Sequence, residues 1–187
     1  MRPPPPGVEV LLLILVLAAA IFDVRYRRIP NWLTLIGVLS GLTLNAVLSR
    51  SPAPGNWGMF RASLLGMAAG FGIYFVLYAL RAMGAGDVKL MAAVGAVVGW
   101  PNWLGIFILT SILGGIMAIL LVIMRKRLQK TLFNVGFILS EMKSGRPAYL
   151  GKEELDVHNP KAMSLPHGAV IAIGTLFFLA FAARFAR

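Results

Sequence analysis

The segment Leu104–Met124 runs for twenty-one residues without a charge, and stretches of this kind constrain the chain more than any other feature. At about 1.5 Å per residue, one such helix spans the roughly 30 Å hydrocarbon core of a bilayer. Four more apolar runs, Val10–Phe22, Trp32–Leu48, Ala62–Leu80 and Ala169–Phe185, are candidates for the same role, and Val88–Gly99 is a shorter sixth. With 58% hydrophobic and 13% charged residues, the chain has too little polar surface to solvate so many helices in water. Lipid offers the backbone no hydrogen bonds, so spans of this length must be helical. The sequence therefore predicts an all-α polytopic membrane protein of about six transmembrane helices, forming one domain over residues 1–187.

Arg2, the apolar run after it and Ala18-Ala19-Ala20 have the outline of a cleaved signal peptide. A single arginine followed by Pro3–Pro6 makes a poor basic leader, and the first run reads as an anchor. The net charge of +11 suggests nucleic acid only while its distribution is ignored. Sorted by six spans, thirteen lysines and arginines fall in loops one, three and five, among them Arg25, Arg27, Arg28 and Lys89. Five fall on the other side: Arg2, Arg50, Arg61, Arg184 and Arg187. The positive-inside rule then places the odd loops in the cytoplasm and both termini outside. The basic charge reads as orientation and attraction to anionic lipid headgroups, not as a nucleic-acid surface.

Seven acidic residues are present. Glu9 lies near the outer surface, and Glu141, Glu153, Glu154 and Asp156 lie in the fifth loop. Asp23 and Asp87 remain, each at the cytoplasmic end of a helix by the same sorting. Val88 to Gly99 is a run of twelve residues, about 18 Å of helix. Trp100, Pro101 and Trp103 read as an outer interfacial turn with aromatic anchors. Measured inward from there, Asp87 falls roughly 10 Å below the cytoplasmic surface. Irregular backbone at that depth is tolerated only inside protein or beside water, which predicts a wet cleft holding two carboxylates.

Taken singly, each aspartate has an ordinary reading. Asp87 in "GAGDVKL" can be a helix N-cap, and Asp23 in "FDVRYRRIPN" a loop residue beside arginines. An N-cap needs at most one flanking glycine, whereas Gly84 and Gly86 give an irregular Gly-x-Gly-Asp loop opening helix 4. Two glycines permit positive φ and the close approach of a second extended chain. Neighbouring carboxylates cannot both ionise cheaply and tend to share a proton. One can then act as base toward water while the other donates to a carbonyl oxygen, which is peptide hydrolysis without a covalent intermediate. Neither residue is assigned a fixed role, because the titration belongs to the pair.

Other protease chemistries are poorly supplied. The chain has no cysteine, no His-Glu-x-x-His and no Gly-x-Ser-x-Gly. His158 and His167 read as solvated or headgroup-level residues. No metal and no cofactor is called for.

"FDVRYRRIPNWLT" and "GAGDVKLMAAVGAVVGW" together resemble the two aspartate motifs of bacterial type IV prepilin peptidases. These are GxGD-type intramembrane aspartyl proteases, a class that includes presenilin and the archaeal preflagellin peptidases. The tetrapeptide alone is a weak signal, but joined to "VKL" and an upstream Asp-x₆-Pro-Asn it is a strong one. The resemblance implies Asp23 and Asp87 as the catalytic pair, with Pro30, Asn31, Gly84, Gly86 and Lys89 on site-shaping positions. Lys89 can hold charge near Asp87 or a substrate carbonyl, or simply snorkel to the surface. "LPHGAVIAIG" resembles a Pro-x-Gly…Gly signature of the short enzymes serving tight-adherence (Flp) pili, with His167 where an aromatic residue is expected.

Longer members of that family carry a cytoplasmic domain between the first two helices and also methylate the new N-terminus. Eight residues separate Asp23 from Trp32, so peptidase activity without methyl transfer is expected. The implied substrate is a prepilin or pseudopilin, cleaved at the cytoplasmic face of the bacterial inner membrane where its basic leader meets an apolar helix. In the loop over 125–165, Leu128, Leu132, Val135, Leu139 and Met142 fall at helical spacing after a basic cluster. They read as an in-plane amphipathic helix, with docking to pilin or pilus assembly machinery as the alternative. The rival to the whole reading is a proton- or cation-coupled transporter using Asp23 and Asp87.

Overall fold

The computed structural model describes residues 4–49, 58–80, 83–126, 129, 131–134, 136–137 and 166–185. Its elements are helices α1 (Pro6–Tyr26), α2 (Asn31–Leu48), α3 (Gly58–Ala79), α4 (Ala85–Val98), α5 (Trp100–Met124) and α6 (His167–Phe185). All except α4 are long and apolar enough to cross a membrane. At 14 residues α4 extends about 21 Å, short of a full span as its apolar run implied. Positions 129, 131–134, 136 and 137 of the expected amphipathic segment are helical. Leu132 there is exposed. Leu128, Val135, Leu139, Met142 and the rest of that loop lie outside the described residues.

Polarity runs opposite to that of a water-soluble bundle. On α1 an exposed stripe, Val10, Ile14, Leu17, Ile21 and Val24, backs a buried one of Val8, Leu12, Leu15, Val16, Ala19 and Asp23. Both stripes are apolar until the last turn, because the outer one meets lipid and not water. The helix runs further than its apolar stretch at both ends. Pro6 opens it in the first turn, where a missing N–H costs nothing, and Arg27 closes it in the left-handed conformation (φ 53°). Asp23 therefore sits in the last helical turn, and not in a loop.

Helix α4 touches each of the other five and is buried nearly all round. Small residues let it sit so deep. Gly66 and Gly70 of α3 meet the backbone of α4 at Gly95 and Met91, and a Cβ on Gly66 or Gly95 would overlap main-chain atoms of the partner helix. Gly37 and Gly41 of α2 meet α4 at Ala93 and Val97. Each pair is a small-xxx-small motif, the device by which membrane helices approach closely without a hydrophobic driving force. The register falls along α4 as it rises along α3, so these two are antiparallel, whereas α2 and α4 are parallel. Asn45 completes the α2 contact, its amide donating to Gly41 O and Val97 O at 2.9 Å and Ala96 O at 3.3 Å. Carbonyls in the last turns of α4 are thus satisfied inside the bundle.

Gly99 (φ 77°) turns the chain from α4 directly into α5. Trp100 is partly exposed there, but Trp103 is fully buried and stacks on Phe107 with ring centroids 5.3 Å apart. Trp103 is thus a core residue and not the interfacial anchor the sequence suggested, because Gly70 leaves room for its indole.

Candidate active site

The C-terminal end of α1 and the N-terminal ends of α2, α4 and α6 converge at one end of the bundle. A cavity of about 760 Å³ opens among the first three, and Asp23, Pro30, Asn31, Gly84, Gly86, Asp87 and Lys89 all line it. The structure thus brings together every site residue expected from sequence. Phe22, Tyr26, Arg27, Arg28, Ile29 and Ala85 complete the wall.

Asp23 is buried, with 8% of its surface exposed, yet its carboxylate has a partner from far along the chain. The Gly168 N–H at the start of α6 donates to its Oδ2 at 2.7 Å. Glycine is required at that point by space. A Cβ there would stand 3.0 Å from both Cβ and Oδ2 of Asp23 and 3.2 Å from Cδ1 of Ile29. The first turn of a helix favours anions through its free N–H groups and dipole, so α6 holds Asp23 electrostatically as well as sterically.

Asp87 is half-buried at the third position of α4. Gly84, not Asp87, occupies the N-cap, and it does so with extended backbone (φ −80°, ψ 150°). The Asp87 carboxylate reaches back to the Gly84 backbone N–H, as the last residue of a capping box does. The expected irregular loop is therefore shorter than the motif, since Ala85, Gly86 and Asp87 are already helical. Neither Gly84 nor Gly86 has positive φ. Close approach accounts for Gly86 instead, because a Cβ there would stand 3.3 Å from Cβ of Ile29. Ile29 consequently touches both Gly86 and Gly168, and wedges the two aspartate-bearing regions at a fixed spacing. Asp23 and Asp87 lie within electrostatic reach of each other across the cavity.

Lys89 and Asn31 meet directly, Nζ donating to Oδ1 at 2.9 Å. Pro30 is the N-cap of α2 and sets its start with extended backbone. His167 is half-buried, with Asp23 within electrostatic reach, so of the two expected settings, solvated or headgroup-level, the fully solvated one does not hold. Docking of Gly168 on Asp23 draws its neighbour inward. His158 lies outside the described residues.

Membrane-crossing helices with two carboxylates facing one cleft at one end define a polytopic membrane protein with a partly buried two-aspartate site. A model of the type IV leader peptidase family matches residues 10–119, and the chain belongs to that family. Both aspartates fall inside the match, whereas α6 lies beyond it. Among similar proteins is a prepilin leader peptidase/N-methyltransferase of Aeromonas hydrophila, 32% identical over 127 residues, 64% of this chain and 41% of that protein. Proteins of the same name from Myxococcus xanthus (29% over 119 residues, 60% of this chain and 33% of that protein) and Escherichia coli (32% over 110 residues, 54% and 44%) are also similar. The chain spans less than half the length of each of these relatives. No solved structure matches it significantly.

Proposed function

We propose that the chain is an intramembrane aspartyl endopeptidase that removes the basic leader from type IV prepilins or pseudopilins of the Flp kind. The observation that carries this reading is the meeting of Asp23 and Asp87 across one cavity from separate helices. With one of the two protonated, such a pair can activate a water and protonate a carbonyl in one site. Asp23 and Asp87 are the catalytic pair, and Gly84, Gly86, Pro30, Asn31 and Lys89 shape the cleft. A substrate helix unwinds at the junction of leader and apolar segment, and its extended strand binds through main-chain hydrogen bonds. The charge distribution supports an inner-membrane protein with both termini outside and the cleft toward the cytoplasm. Only residues 27–30 join α1 to α2, which supports peptidase action without the methyl transfer named in the relatives.

Co-expression with a Flp-type prepilin tests the reading. Gel mobility should show leader loss, and mass spectrometry of the mature N-terminus should show no methyl group. An unprocessed prepilin, together with ion flux in liposomes that depends on Asp23 or Asp87, would favour the transporter instead.

A further inference from the structure

Glycines set both α2 and α3 close on α4, Gly37 and Gly41 from one side and Gly66 and Gly70 from the other. Toward the site end the two helices leave a furrow of about 550 Å³ between them, with α4 as its floor at Ala92. Thr34, Leu35 and Val38 form one wall, Ala68 and Phe71 the other. Leu35 and Phe71 are exposed, so the furrow opens sideways to lipid. Its upper end opens elsewhere. Asn31 and Lys89 line both the furrow and the carboxylate cavity, so the two spaces meet at the Lys89–Asn31 hydrogen bond. From Asn31 to Val38 is seven residues along α2, about 10 Å, so the furrow flanks roughly two helical turns.

Surface chemistry changes at that junction. The Asn31 amide both donates and accepts, and the Lys89 ammonium donates. Below them the Thr34 hydroxyl is taken up by the Asn31 carbonyl at 3.0 Å, and the walls present hydrocarbon. A lipid chain matches the walls but not the junction. A peptide that is extended at one end and an apolar helix beyond it matches both, because an unwound strand and the first turn of a helix carry main-chain groups without partners. We propose that the furrow between α2 and α3 holds the substrate's apolar helix over its first two turns beyond the scissile bond, with Asn31 and Lys89 where helix gives way to strand. This deepens the peptidase reading, and rests on it for the scissile bond lying between Asp23 and Asp87. With the leader held at the cleft, the substrate helix runs parallel to α2 and α4.

Photo-crosslinking to a Flp-type prepilin, in full-length Asp87→Asn protein reconstituted in liposomes, tests the docking without turnover. p-Benzoylphenylalanine in place of Leu35 or Phe71 should join the prepilin through its apolar helix, mapped by mass spectrometry. In place of Ile14, on the exposed stripe of α1, it should not. Crosslinks from 35 and 71 that reach only lipid, or a second copy of this chain, would overturn the proposal. In the active protein Ala68→Trp fills the furrow from its exposed rim. It should raise KM for prepilin roughly tenfold, the scale of about two methylenes of lost apolar contact, with kcat within about twofold. Ile14→Trp should leave both near wild type. A KM within about twofold of wild type in Ala68→Trp would overturn the proposal, as would an equal rise in Ile14→Trp. If wild-type protein removes no leader, the peptidase reading fails, while the crosslinks still decide whether the furrow takes an apolar helix.

Discussion

Gly168→Ala adds one methyl group beside Asp23 and separates two effects that pull in opposite directions. Gly168 lies in α6 without positive φ, so alanine fits the backbone and gains up to about 1 kcal/mol of helix propensity. Its methyl, however, would stand 3.0 Å from Cβ and Oδ2 of Asp23, against an ordinary carbon contact of about 3.5–4.0 Å. Asp23 must then give by a few tenths of an ångström. The 2.7 Å bond from Gly168 N lengthens by the same amount, so it weakens without breaking. A hydrogen bond to a charged group is worth about 1.5–3 kcal/mol, and losing about half of it, at about 1.4 kcal/mol per factor of ten, is roughly a 3- to 10-fold loss of rate. The rate effect outweighs the gain in propensity where the readout is cleavage, but not where it is folding. Purified Gly168→Ala should therefore unfold within a few degrees of wild type while removing prepilin leader roughly 3- to 10-fold more slowly. Cleavage within twofold of wild type would refute the view that α6 positions Asp23.

Two further predictions concern the scaffold. Gly95→Ala drives a methyl into the α3 backbone at Gly66 and should cost about 1–3 kcal/mol in reversible unfolding in micelles. Gly72→Ala, with nothing within 4 Å of the new methyl, should cost nothing measurable, and equal losses in the two variants would contradict the close-contact account. Asn45→Leu leaves the Ala96 and Val97 carbonyls without their buried donor. It should lower stability by about 1–3 kcal/mol, and an unchanged unfolding midpoint would show that those carbonyls find another partner.

Helix number and the residues that line the cavity were legible because each left a strong local mark. An uncharged run long enough to cross lipid has few other fates, and Asp23 and Asp87 stand out against apolar neighbours. Pairing them needed only the alternation of loops across a membrane. Other features depend on contacts between distant helices, which local patterns do not encode. Gly168 looked like part of a terminal signature, and only folding puts its N–H on Asp23. The glycine pairs at 37/41, 66/70 and 95/99 did carry a readable spacing, although it does not say which helices meet. Positive φ is not what Gly84 and Gly86 supply: glycine at 86 makes room for Ile29. Trp103 shows the converse, since a tryptophan after a turn looks like an interfacial anchor until a facing glycine gives it a core position.

The most direct test of the central claim is leader removal by purified Asp23→Asn and Asp87→Asn proteins, each checked for a wild-type unfolding profile. Both substitutions preserve shape while deleting the ionisable group. The account predicts that either one alone abolishes cleavage of a Flp-type prepilin, because base and acid must both be present in the same cavity. Near-normal cleavage by either folded variant would contradict it.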